Sequence, residues 1–189
     1  MKIQGKYIVF ILILVVLATT CKFFFGPDLA WSGFSPVIAI ALFSGITIRQ
    51  KDKSFLLPLL ALIISDTMIE ALFRLDLFPY AGFYSGQALN YAILLTATLV
   101  GWALRGKTYA GLLACSIAAP TVYFLVSNGL VWMGSQTMYK KDLSGLIDCY
   151  IAGLPFYKNS LLATLIFLPA ILVVYNYVVM GKVRLKMAG

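Results

Sequence analysis

Twenty consecutive residues, "LLATLIFLPAILVVYNYVVM" at 161–180, carry no charged side chain. As a helix rising about 1.5 Å per residue, such a run is long enough to cross the roughly 30 Å hydrocarbon core of a bilayer. Comparable runs occupy 7–25, 55–73, 88–104 and 110–133, with a shorter one at 35–48. Backbone groups cannot go unpaired in lipid, and these runs lack the alternation of barrel strands, so helices are expected. Only 12% of the residues are charged, against about 25% in soluble domains. The expectation is an all-α integral membrane protein. It forms a single six-helix domain over residues 1–189, with 182–189 as a basic cytoplasmic tail.

The first run begins with Lys2 and Lys6, as a signal peptide would. Its apolar core exceeds the usual 7–15 residues, and no small-x-small cleavage site follows, so a retained first helix is expected. Lysine and arginine set the orientation. With the N-terminus inside, Lys2, Lys6, Arg49, Lys51, Lys53, Arg105, Lys107, Lys182, Arg184 and Lys186 are cytoplasmic, ten of the fifteen bases. Asp28, Asp76, Asp142 and Asp148 then fall outside, and both termini are cytoplasmic. Such a chain is expected to be a multi-pass protein of a cytoplasmic membrane. The bases mark span ends rather than one face, which argues against a nucleic-acid partner despite the net charge of +8.

Several chemistries have no carrier here. The sequence has no histidine, and Cys21, Cys115 and Cys149 are not spaced as a zinc site, so buried free thiols are expected. No phosphate loop, zinc-protease or hydrolase-elbow motif occurs. No cofactor or metal is expected, and any ATP-driven step would need a separate ATPase.

The third run contains "SDTMIEALFR", which sets Asp66 and Glu70 one turn apart on one helix face. Asp66 lies about 16 Å up from Phe55, just past the midplane. A carboxylate at that depth costs about 2.5–3.5 kcal/mol or more and normally faces a bundle interior or wet cavity. Two such neighbours repel, so a cation or donors should compensate. Glu70 has Arg74 four residues on, the arrangement of a rim salt bridge. Asp66 has no partner in its own helix, which leaves it for a ligand or for a neighbouring helix.

Other polar residues share this depth: Asn90, then Ser127, Asn128 and Trp132 in "SNGLVW", then Asn159, Ser160 and Thr164. Their common level suggests a cavity open to the outer side, with Asp66, Glu70, Asn90, Asn128 and Trp132 as candidate substrate-binding residues. Ser35 and Pro36 read as the cap and first residue of a short helix whose positive end faces the same level. In the longest outer connection, 134–160, apolar residues recur at 3–4 spacing from Leu143 to Leu154. That pattern predicts a short amphipathic helix, either resting at the interface or acting as a lid. Ala41 with Gly45, and the row Ala110, Ala114, Ala118, offer close helix packing or a docking surface.

"GFSPVIAIALFSG" at 33–45, "SD" at 65–66, "SNGLVW" at 127–132 and "DLSGLIDCYIAGLPFYKNSLL" at 142–162 resemble an uncharacterised family of bacterial multi-pass membrane proteins. No activity attaches to that family, so the resemblance assigns no residue a role. Its six-helix layout is similar to the S components of energy-coupling-factor vitamin transporters. That similarity implies an outward pocket capped by loops and docking on a membrane coupling subunit with separate ATPases. S components dock through Ala-xxx-Ala on the first helix, whereas this first helix is bulky with only Ala18.

The expected function is small-molecule binding by a membrane protein, as a substrate-capture subunit of a transporter, with the lipid bilayer and a small ligand as its partners. The alternatives are a structural or assembly protein, and a membrane enzyme using Asp66 and Glu70 as acid and base on lipid or cell-wall precursors. An enzyme is the less favoured of these.

Overall fold

The computed structural model describes residues 2–104, 108–135 and 137–181. Arg105, Lys107 and the 182–189 tail lie outside the described residues, and with them five of the ten bases assigned to the inner side. Six helices run in chain order: α1 (Lys2–Phe25), α2 (Val37–Thr47), α3 (Lys51–Arg74), α4 (Gln87–Leu104), α5 (Tyr109–Met133) and α6 (Leu143–Val178). There is no strand among the described residues. Four segments are long and apolar enough to cross a membrane: Gly5–Phe25, Lys51–Arg74, Tyr109–Met133 and Leu143–Val178.

α2 is the centre of the molecule. Its residues 37–45 are all buried, as befits a helix that is apolar on every side. It packs on α3, α4, α5 and α6, while α1 sits between α3 and α6 and closes a ring around it. At 11 residues α2 spans only about 16 Å. The helix starts at Val37, one residue later than expected. Pro36 takes the cap position, and Ser35 Oγ accepts the Val37 N–H at 3.4 Å.

Against lipid, apolar burial drives helix association weakly, so tight backbone approach has to supply the contact energy. Gly45 and Gly101 provide it between α2 and α4. A Cβ on Gly101 would lie 2.7 Å from the Leu42 carbonyl oxygen, and one on Gly45 would collide with that of Thr98. Ala41 is likewise fully buried, so the Ala41–Gly45 pair is internal packing. The α5 row behaves differently. Ala110 and Ala114 are exposed, and α5 is held instead by Cys115, Ser116, Ala119 and Pro120.

The separate amphipathic helix expected within 134–160 does not exist as such. Residues 143–160 form the first half of α6, one continuous 36-residue helix. Asp142 caps its start by accepting the Gly145 N–H at 2.8 Å. Pro155 inside it forfeits one backbone bond without ending it. Its packing face is also the reverse of the apolar stripe. Leu143, Ile147, Ile151 and Leu154 are exposed, and Gly145, Cys149 and Gly153 are buried. Small residues seat α6 on α5, and the bulky ones face outward, as on a lipid-facing helix.

Candidate functional site

Asp66 stands on α3 where α1 and α4 converge. Its Oδ1 pairs with the Lys22 ammonium of α1. Its Oδ2 accepts from Gln87 Nε2 at 2.8 Å and from the Tyr91 hydroxyl, both on α4. Lys22 also donates to Ser65 Oγ at 2.8 Å. The charge that looked partnerless in sequence therefore has donors from two other helices. Lys22 and Asp66 are largely enclosed, with side-chain exposures of 21% and 10%.

Above this cluster lies a cavity of about 330 Å³. Its floor holds Lys22, Asp66, Gln87 and Tyr91, and the first turn of α2 opens into it through Val37 and Ile38. Two connecting segments form its walls. Residues 26–36 contribute Trp31 and Phe34, which stack with Phe25 as a ring cluster at centroid separations of 5.1–5.7 Å. Residues 75–86 contribute Tyr80, Ala81, Gly82 and Tyr84.

Both segments are held by specific polar contacts. Asn159 Nδ2 donates to the carbonyls of Ala30 (2.8 Å) and Ser32 (2.9 Å), and Ser160 Oγ donates to that of Gly33 (3.1 Å). Gly33 itself has φ +88, a left-handed conformation that few side chains tolerate. The second segment is fastened by Glu70, whose Oε2 accepts the Gly82 N–H at 3.0 Å while its Oε1 takes Arg74 Nε at 2.8 Å. Gln87 adds a bond to the Gly82 carbonyl at 3.0 Å and accepts the Tyr84 N–H at 3.1 Å. Asn90 then bridges Tyr84 and Tyr123, donating to one hydroxyl and accepting from the other at 2.8 and 2.7 Å.

Of the five residues chosen from sequence, Asp66 and Asn90 line the cavity. Glu70 sits behind its wall as the anchor of Gly82 and Arg74. Asn128 and Trp132 belong to the α5–α6 seam and do not line the cavity. Asn128 Nδ2 turns back to its own helix, to the Phe124 carbonyl at 2.9 Å, and Trp132 Nε1 donates to the Lys140 carbonyl at 2.8 Å. A common depth placed these residues on one level without placing them on one side of the bundle. The 134–160 region is no lid either. Among the described residues the cavity takes only Ser160 from it, and the walls are 26–36 and 75–86.

The family model for DUF6580, described as a family of unknown function, matches residues 2–186. The chain belongs to that family. No curated protein and no solved structure matches this DUF6580 chain.

Lys22, Gln87 and Tyr91 are the candidate-site residues that sequence reasoning missed. Two signals pointed to them. Lys22 is the lone base within the "TTCKFFF" end of the first run, and Gln87 and Tyr91 lie one turn apart on α4. Both tyrosines of the 75–86 wall stay protonated over a wide pH range. Burial, with the negative charge of Asp66 adding to it, pushes the Tyr80 phenol above its ordinary value of 10.0. Burial does the same at Tyr84, where the Asn90 hydrogen bond acts weakly against it.

Proposed function

We propose that this DUF6580 protein spans the bacterial inner membrane six times, with both termini cytoplasmic, and captures a small molecule in the cavity above Asp66 from the outer side. The observation that carries this reading is a cavity of about 330 Å³ over an enclosed ion pair, walled by aromatic rings on two anchored segments. Its volume falls within the roughly 300–1,000 Å³ of small-molecule sites, and apolar walls with a few fixed polar groups are their usual chemistry. Positive charge at the inner span ends supports the orientation. Transport would then depend on a separate membrane coupling subunit with its own ATPases.

The test is mass spectrometry of small molecules retained by gently purified protein, wild type against Ala81→Trp, which fills the cavity from its wall. A compound present in the wild type and depleted in the variant supports the reading. Identical small-molecule content in the two proteins counts against it.

A second reading has one observation in its favour: Asp66 already holds three partners from within the protein. On this view the cluster is a tether joining α1, α3 and α4, and the chain serves in structure or assembly. It predicts that Asp66→Asn lowers stability in a protein that carries no ligand. Capture predicts that Asp66→Asn loses the ligand while expression is maintained.

A further inference from the structure

The hydrogen bonds around the cavity leave donors and acceptors unequally committed. Asp66 offers about four lone-pair positions, and Lys22, Gln87 and Tyr91 fill three of them. Gln87 is engaged at both ends. Asn90 is engaged at both ends as well. The Lys22 ammonium has three protons and uses two, toward Ser65 and Asp66. The Tyr84 hydroxyl accepts from Asn90, and its own proton has no acceptor among the described residues. The Tyr80 hydroxyl has no hydrogen-bond partner among the described residues, and Tyr80 lines the cavity. Lys22, Tyr84 and Tyr80 thus bring three uncommitted O–H or N–H groups to one space.

Electrostatics agrees with this count. Among the described residues, Lys22 and Asp66 are the only acid and base lining the cavity, and they pair with each other. The remaining bias comes from the first turn of α2, whose dipole presents partial positive charge at Val37 and Ile38. A cationic ligand would have to take the last position on Asp66 and would face that positive end. An acceptor-rich ligand meets donors on both sides.

Resting on the reading of this cavity as a ligand site, we infer that its ligand is an anion of the carboxylate class with an apolar, ring-bearing body. The acid group binds Lys22 and the Tyr80 and Tyr84 hydroxyls, and the body packs on Trp31 and Phe34. Asp66 then acts as the positioning residue for Lys22 and makes no charge pair with the ligand.

Three matched probes that share a phenyl tail test the inference: 4-phenylbutyrate, 4-phenylbutanamide and 4-phenylbutylamine. Each is measured by equilibrium dialysis and thermal unfolding with the full purified chain. The acid is expected to bind at least tenfold more tightly than the amine, with the amide between. Tyr80→Phe removes a hydroxyl with no partner among the described residues, so the unliganded melting temperature should not move, while acid affinity falls several-fold. Lys22→Gln should weaken the acid by roughly tenfold, the scale of a lost charged hydrogen bond. The inference is overturned if the amine binds as well as the acid, if neither variant changes acid affinity, or if no probe binds. Should the Ala81→Trp comparison still reveal a retained cationic or neutral compound, capture stands and the ligand class fails. If it reveals none and no probe binds, both fail.

Discussion

The two ends of the bundle are held together by different physics. At the end that carries Asp66, helices are joined by side-chain hydrogen bonds, one ion pair and two fastened segments, and a polar-floored cavity remains. At the opposite end Phe10, Phe43 and Tyr175 form a mutual ring cluster with centroids 5.1–5.3 Å apart, and α2 and α4 meet at Gly45 and Gly101. That end has a cavity too, about 510 Å³, but its lining is mostly aliphatic and aromatic, with Lys53 the only charged residue among those described. Polar groups there are few, the Lys53 ammonium and the Thr47, Tyr7 and Tyr175 hydroxyls among apolar side chains. The Asp66 end instead surrounds an enclosed ion pair with oriented amide and hydroxyl groups, an arrangement better suited to tell one polar ligand from another.

This contrast can be broken by mutation at either end. The largest effect is expected from Gly45→Leu, which drives a branched side chain into the Thr98 carbonyl and should prevent α2 and α4 from docking. The measurement is recovery of monodisperse protein, and normal yield would mean that the close approach is dispensable. Next is Lys22→Met, which leaves Asp66 enclosed without its cation. Breaking such a pair typically costs about 3–5 kcal/mol, read as a lower melting temperature in detergent. Adding Asp66→Asn to that variant should recover part of the loss, because the amide no longer needs a counter-charge. Failure of the double variant to recover would mean that the pair is not coupled.

A smaller effect, of roughly 1 kcal/mol, is expected from Asn159→Ala, which frees the Ala30 and Ser32 carbonyls of the 26–36 wall. Its sharper readout is ligand retention, which should fall more than stability. The smallest concerns Asp142, outside the contrast altogether. The Gly145 N–H and the Ser144 hydroxyl hold its carboxyl below the ordinary value of 3.8. A lowered folded value means that this cap is fully present above the ordinary carboxylate range and is lost as pH falls through the folded value. Amide exchange at Gly145 should therefore accelerate on acidification in the wild type and be fast at all pH values in Asp142→Ala.

The helices were legible because lipid leaves a chain little choice. Uncharged runs of sufficient length become helices, and five of the six elements begin and end within a few residues of the apolar runs. The sixth was misjudged at its start. The outer stretch with Pro155 and Lys158 reads as separate from the last span, yet a single proline did not stop a helix seated on α5 by Cys149 and Gly153. Site residues were only half legible. Asp66 and Asn90 stood out by their depth. Asn128 and Trp132 shared that depth, but depth is one coordinate, and rotation about the bundle axis placed them on another seam.

What the sequence by itself determined is the solvent and the elements: a mostly uncharged chain, built of helices, with an acid where acids are costly. What the tertiary structure decided is which partners that acid has. Lys22 and Asp66 are 44 residues apart, and only the parallel packing of α1 on α3 brings them into contact. The physical reason is that local pattern fixes hydrogen bonding along a helix, whereas the satisfaction of a buried charge depends on which faces of different helices meet.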